Sequence, residues 1–261
     1  MTAESGIRYR DYSVPYLVDE TLREGIERTA FPISVDAKVA LLKSMAAAGL
    51  RDFVVGCGPE EPLVWDRLHQ AREAHELPAD TRATFIILLN CWETAFANFQ
   101  SRQQHRQWIA DTVFSFGMIT YRQGKREFER AIEAFRSIGA VRFKASVLNN
   151  FRQGVSEQRY GEICRQIDWA ASLGVEIIRI NDSVGSLQPH VTQWLCSKLV
   201  KDYPGWCFAC MPITTTDWPL PIPCKPFTRA FRWLKGRSPV LAIDRVLRPW
   251  NKWSSCARPI I

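Results

Sequence analysis

The chain has 261 residues, a net charge of +7, an apolar fraction of 46% and eight cysteines. That apolar content suffices for a real core, and no run approaches the ~18 apolar residues of a membrane span. The polar, mixed-charge N-terminus (Met1 to Asp11) carries no apolar signal core, so a cytoplasmic protein with buried thiols is expected.

The charge is unevenly placed. Nine of the 34 Lys/Arg and two of the 27 Asp/Glu lie in residues 206–261, leaving 25 of each sign in residues 1–205. The same tail holds five of ten Trp, four of eight Cys and eight of fifteen Pro, with one Gly and no Glu. Two parts are therefore expected: a neutral domain over 1–205, and a basic, poorly ordered tail over 206–261. A nucleic-acid partner, which the global charge would suggest, is not expected from a neutral domain.

In chain order, apolar β-rich runs recur every 28–37 residues: Tyr16–Val18, Phe53–Val55, Thr84–Leu89, Val113–Met118, Val141–Ser146 and Glu176–Ile180. A seventh would fall near Trp206–Met211. Helical stripes lie between them. Ser34 caps one, Val35, Val39, Leu42 and Met45 form its face, and Gly49 ends it. Phe128, Ile132, Phe135 and Ile138 form a second, ended by Gly139; Tyr160, Ile163, Ile167 and Ala170 form a third, ended by Gly174. Strand–helix alternation of this period means parallel βαβ units. Six units fit an α/β barrel of the TIM (β/α)8 type missing its end, or an open doubly wound sheet. The first strand lacks a following Gly-x-Gly-x-x-Gly, which weakens a dinucleotide reading.

The first strand runs directly into Asp19-Glu20-Thr21-Leu22-Arg23-Glu24-Gly25. In a barrel, such a strand end carries the active site. Asp19 suits a hard divalent cation, and Arg23 suits a carboxylate or a developing enolate oxygen. A salt-bridged strand end accounts for the same residues without chemistry.

This segment resembles the signature of the DRE-TIM metallolyases, a family that includes isopropylmalate, homocitrate and citramalate synthases and hydroxymethylglutaryl-CoA lyase. Arg179-Ile180-Asn181-Asp182-Ser183-Val184-Gly185, with Pro189, resembles the motif at the end of that family's sixth strand. Gly49-Leu50-Arg51-Asp52-Phe53-Val54-Val55-Gly56, with Pro59, resembles its second-strand motif. The resemblance implies a TIM barrel whose strands seven and eight are replaced here by the tail. It implies a divalent metal (Mg, Mn or Zn) with Asp19 as ligand, Arg23 stabilising an enolate, and Glu24 positioning Arg23. Arg152 and Ser183 would bind substrate, Ser183 standing where a Thr touches the substrate carboxylate. The implied reaction is a Claisen-type condensation of acetyl-CoA or another acyl-CoA with a 2-oxo acid, with metal-dependent carbon–carbon cleavage as the alternative. The implied assembly is a homodimer. This chain departs from the family's pattern at Val54 (a Glu there), at Ile26-Glu27 (Glu-Gln) and at Asn149-Asn150 (an acidic pair).

The family's seventh strand carries His-x-His, two metal ligands. The four histidines here (His69, His75, His105 and His190) include no such pair. His69 and His75 read as solvent-facing positions of a polar helix, and His190 as a surface residue. Back-translation of Cys207–Pro219, read from two bases further on, gives Phe-Cys-Val-His-Ala-His-Asn-Asp-Tyr-Gly-Leu-Ala, which resembles the missing motif. The same frame through Phe227–Asp244 can yield a segment like the family's eighth-strand region. A frameshift near Gly205–Trp206 is therefore expected, with activity lost in this chain and the barrel left open at its end. Two other readings of the tail are a zinc site from Cys207, Cys210, Cys224 and Cys256, and a nucleic-acid-binding Arg/Trp segment.

Overall fold

The computed structural model describes residues 7–9, 12–14, 17–25, 29, 31–119, 125–147, 151, 154–182, 186–204, 206–212 and 241–245. A short antiparallel hairpin, β1 (Ile7–Tyr9) and β2 (Tyr12–Val14), precedes the main sheet. Then come β3 (Leu17–Asp19), a single π-helical turn (Thr21–Gly25), α1 (Val35–Ala47), β4 (Asp52–Cys57), α2 (Leu63–Glu73) and β5 (Arg82–Ile87). They are followed by α3 (Trp92–Gln100), α4 (Arg106–Asp111), β6 (Val113–Ile119), α5 (Lys125–Ser137), β7 (Arg142–Val147) and α6 (Glu157–Ser172). The last elements are β8 (Ile177–Asp182), α7 (Pro189–Asp202), β9 (Cys207–Pro212) and β10 (Leu241–Arg245).

Strands β3 to β10 form a closed parallel barrel in the order β10-β3-β4-β5-β6-β7-β8-β9. The architecture is the TIM-type barrel indicated by the strand period, not an open sheet. Each of the six expected strands is present to within a few residues, and the seventh begins one residue after Trp206. Local chemistry sets the helix ends. The Ser34 hydroxyl accepts from the Ala37 N–H at the start of α1, and Ser156 does the same for Arg159 at the start of α6. Gly139 follows α5 with φ of 106°, a backbone region that a side chain would strain.

The open barrel end is not found. Tail residues supply both closing strands: β9 pairs in parallel with β8, and β10 bridges β9 to β3. The boundary at 205 therefore does not separate the barrel from the tail. Closure needs only a backbone that can hydrogen-bond on both sides, and Cys207-Phe208-Ala209-Cys210-Met211 is apolar enough to lie between them. The ring of Phe208 is buried, and both it and Trp206 pack on Tyr203 at the end of α7.

Two apolar layers result. Phe53, Val55, Phe85, Phe114, Phe116 and Phe143 face outward into a large core against the helices. Alternate residues face the lumen, where Val18, Val54 and Ile86 form one small cluster and Val113, Ile177 and Ala209 another. Gly56 sits at a register shift in β4, where a Cβ would lie 2.3 Å from the Phe85 ring. Among the described residues, no helix is long and apolar enough to cross a membrane.

His69 corrects a sequence expectation. It does not face solvent but is 1% exposed, lying edge-on to Trp65 at 4.8 Å and parallel to Trp108 at 5.0 Å. Trp65, Leu68 and His69 share the inner face of α2, so the position outweighs the residue type. His105 stacks on Trp108 at 4.0 Å, while His75 and His190 are exposed as expected. The Nε2 atom of His69 has no hydrogen-bond partner, and Nδ1 lies 3.5 Å from the Arg72 guanidinium. Burial pushes this imidazole down to about 3, with Arg72 and His105 acting in the same direction.

The sign of the linkage follows. Between pH 6.5 and about 3 the unfolded chain takes up a proton that the folded chain refuses. Stability is thus full above that window and falls as the pH drops through it, by at most about 1.4 kcal/mol per pH unit. Urea unfolding of wild type and His69→Leu at about pH 7 and about pH 4.5 checks this. The variant is expected to lose less stability on acidification than wild type; equal losses would refute the assignment.

Candidate active site

All eight barrel strands are parallel, so their carboxyl ends form one mouth. Strand β3 ends at Asp19, and the π-helical turn that follows brings Glu20, Arg23 and Glu24 to that mouth. The turn is closed by the Glu20 carbonyl, which accepts from the N–H groups of Arg23 (3.1 Å) and Glu24 (2.9 Å).

Asp19 is buried, and Thr21 takes up both its carboxylate oxygens. The Thr21 N–H donates to Oδ1 at 2.9 Å and its hydroxyl to Oδ2 at 3.1 Å. Burial raises the Asp19 carboxyl above the usual range, against the two Thr21 bonds, and the neighbouring Glu20 charge adds a smaller push upward.

Glu20 occupies the centre of the site. It faces the lumen, two residues beyond Val18, and is 0% exposed. Its Oε2 accepts from Arg23 through Nε at 3.1 Å and through a closer contact from Nη2. Its Oε1 accepts from Arg179 Nη1 at 2.8 Å. Arg179 Nε donates to the Ser146 hydroxyl at 2.8 Å, and Arg23 Nη2 lies 2.8 Å from Glu24 Oε2. A chain of charge-assisted bonds thus runs from β7 through β8 to the end of β3. It crosses the mouth over the two strands that the tail supplies.

At the end of β8, Asp182 holds the following loop. Its Oδ2 accepts from the Leu187 N–H at 2.7 Å and its Oδ1 from the Ser186 hydroxyl at 3.2 Å. The lumen below is polar on one side. Lys144, Ser146 and Arg179 are buried there, and the Ser115 hydroxyl and Asn181 Oδ1 are buried without a hydrogen-bond partner. The other side is the apolar cluster of Val18, Val54 and Ile86.

Of the residues singled out from the sequence, Asp19, Arg23 and Glu24 come together at the mouth, while Arg152 and Ser183 lie outside the described residues. Glu20, Arg179 and Ser146 were not singled out as site residues. The signal for Glu20 was its register: it continues the inward alternation of Val18, so its charge enters the lumen.

The metal expectation meets a direct test in these contacts. Asp19 is satisfied by Thr21, Glu20 by two guanidinium groups, and Glu24 is paired with Arg23. Among the described residues, no group of three or more His, Cys, Asp or Glu is placed to hold a metal ion. The residues present do not build the implied centre, and the second-strand position that carries Glu in the resembling family is the buried Val54.

No family model and no curated protein matches the chain. Solved structures do match. A hydroxymethylglutaryl-CoA lyase from Acinetobacter baumannii, in complex with coenzyme A and 3-methylmalate, superposes with a TM-score of 0.61 at 15% identity, over 95% of this chain and 77% of that one. The lyase from Pseudomonas aeruginosa gives 0.59 at 17% identity, over 91% and 79%. The carboxyltransferase domain of Rhizobium etli pyruvate carboxylase, with 3-bromopyruvate, gives 0.56 at 16% identity, over 88% of this chain and 39% of that one. These neighbours are DRE-TIM metallolyases. At 15–17% identity the likeness shows the closed parallel barrel fold of this chain.

Titration with Mg²⁺ or Mn²⁺ checks the metal finding. The chain is expected to bind either ion with a dissociation constant of about 1 mM or weaker, and Asp19→Asn to leave that value unchanged. Tight binding abolished by Asp19→Asn would establish Asp19 as a ligand.

Proposed function

We propose that this barrel derives from a carbon–carbon bond enzyme of the metallolyase type, acting on an acyl-CoA thioester and an oxo or hydroxy acid, and that the chain as given is catalytically silent. The observation that carries the reading is the Arg23 guanidinium at the end of the first strand, held by two carboxylates at the mouth of a barrel that superposes on hydroxymethylglutaryl-CoA lyases. Glu20 engages this guanidinium through Nε and Nη2 and Glu24 engages Nη2, and a guanidinium fixed in this way suits an enolate or carboxylate oxygen. Glu20 and Glu24 hold that group, and Asp182 accepts from Ser186 and Leu187 at the end of β8. The neighbours favour cleavage over condensation; Claisen-type synthesis with acetyl-CoA is the alternative. Small-molecule substrates, a cytoplasmic location and a homodimer belong to the same reading.

Silence follows from the donor inventory. The sequence has no His-x-His, and Asp19, Glu20 and Glu24 at the mouth are engaged by Thr21 and by arginines. The out-of-frame origin of residues 206–261 accounts for both this loss and the tail's composition. It requires a one- or two-base insertion or deletion near the Gly205 codon, which resequencing of the gene checks directly. An in-frame gene whose shifted reading lacks His-Ala-His-Asn-Asp would overturn it.

The functional test compares the chain as given with its frame-restored counterpart. The restored protein is expected to bind a divalent ion at least about 100-fold more tightly, because each added inner-shell ligand contributes substantially to binding. It is also expected to show metal-dependent thioester cleavage or condensation across a panel of acyl-CoA, 2-oxo acid and 3-hydroxyacyl-CoA substrates. Equal activity in the two proteins would show that the tail is a working C-terminus.

A further inference from the structure

We propose that Glu20 is an internal carboxylate occupying a two-arginine anion site, so that the folded chain holds this site shut against a carboxylate from outside. Glu20 is wholly buried, and each of its oxygens is engaged by a different guanidinium: Oε1 by Arg179 at 2.8 Å, Oε2 by Arg23. Arg179 stands within β8, 159 positions from Glu20, and Arg23 in the turn after β3, three positions away. They converge on a single carboxylate at the place where a barrel takes its ligand. Two guanidinium groups aimed at one carboxylate form a recognition site for any carboxylate of similar size. Here the occupant is part of the protein.

The surroundings fit a site built for an anion and filled from within. Ser146 orients Arg179 through Nε, leaving Nη1 directed at Glu20. Glu24 lies 2.8 Å from the same Arg23 Nη2 that meets Glu20. Below lie the buried Lys144 and the orphaned Ser115 hydroxyl, a cationic group and a spare donor on the same lumen face. With Glu20 in place these positive groups face a fixed counter-charge. With it removed, the space it leaves between Arg23 and Arg179 has the size and charge for a small monocarboxylate, and a dicarboxylate could extend toward the polar side of the lumen. The inference deepens the reading of the mouth as an oxyanion-handling site. It depends on that reading only for which acid the site would meet in the cell; the binding test below needs no turnover.

The experiment removes the internal carboxylate from the full chain and supplies one from solution. Thermal unfolding of wild type, Glu20→Ala and Glu20→Ala/Arg179→Met is measured in sodium formate, acetate and malonate against sodium chloride at equal ionic strength. Glu20→Ala is expected to melt lower than wild type in chloride and to recover part of that loss in formate or acetate, saturating with concentration as binding to the native state requires. Wild type and the double variant are expected to respond to carboxylates no more than to chloride. If Glu20→Ala does not fold in chloride, recovery of a folded form in formate is the supporting result. Glu20→Gln then serves as the second variant, since it keeps the volume while removing the charge. A folded Glu20→Ala or Glu20→Gln with no carboxylate-specific response, or a response equal in wild type, overturns the proposal. Inactivity of the frame-restored enzyme with every substrate would overturn the functional reading and leave this result standing.

Discussion

A single buried carboxylate holds the mouth of this barrel together. Glu20 has no contact with water, and a charge in that position is tolerated only when opposite charge and hydrogen bonds replace the lost hydration. Arg23 and Arg179 supply both, one on each oxygen. Because Arg179 stands on the sixth barrel strand and Glu20 at the end of the first, the interaction crosses the opening. Deleting one partner of such a pair leaves the other charged and dry, a cost of about 3–5 kcal/mol. The orientation of Arg23 depends on this bridge.

The lumen is divided by charge, and the division explains why the described residues form no metal-binding group. Hard cations need several oxygen ligands with free lone pairs. On one side Val18, Val54 and Ile86 offer none. On the other, Lys144 and Arg179 repel a cation. The carboxylates between them are committed to guanidinium groups or, for Asp19, to Thr21. What remains suits anions better than metals.

The fold closes even though its closing strands come from a segment of alien composition. Parallel strands pair through backbone groups that every residue except proline carries in full. A short apolar run beginning with Trp206 and Phe208 meets that requirement and packs on Tyr203. Chemistry is less forgiving than closure. Metal ligands have to stand as particular side chains at fixed strand positions, whereas strand pairing needs only the backbone.

By itself the amino-acid order determined the strand and helix units, because apolar periodicity and caps such as Ser34, Ser156 and Gly139 are local properties read over a few residues. It also indicated the barrel fold, through the strand–helix period, and showed the absence of a His-x-His pair. Only the tertiary structure decided that the barrel closes, since the closing pair of β10 with β3 joins Ile243 to Leu17, at opposite ends of the barrel sequence. It alone showed that His69, in a stretch rich in polar residues, is buried beneath Trp108. It also decided the role of Glu20. Its neighbour in the sequence, Asp19, drew attention as the expected ligand, yet Asp19 folds back onto Thr21 while Glu20 turns inward to meet an arginine 159 positions away. No local pattern carries that distance, because the pairing exists only once eight strands have curled into one ring.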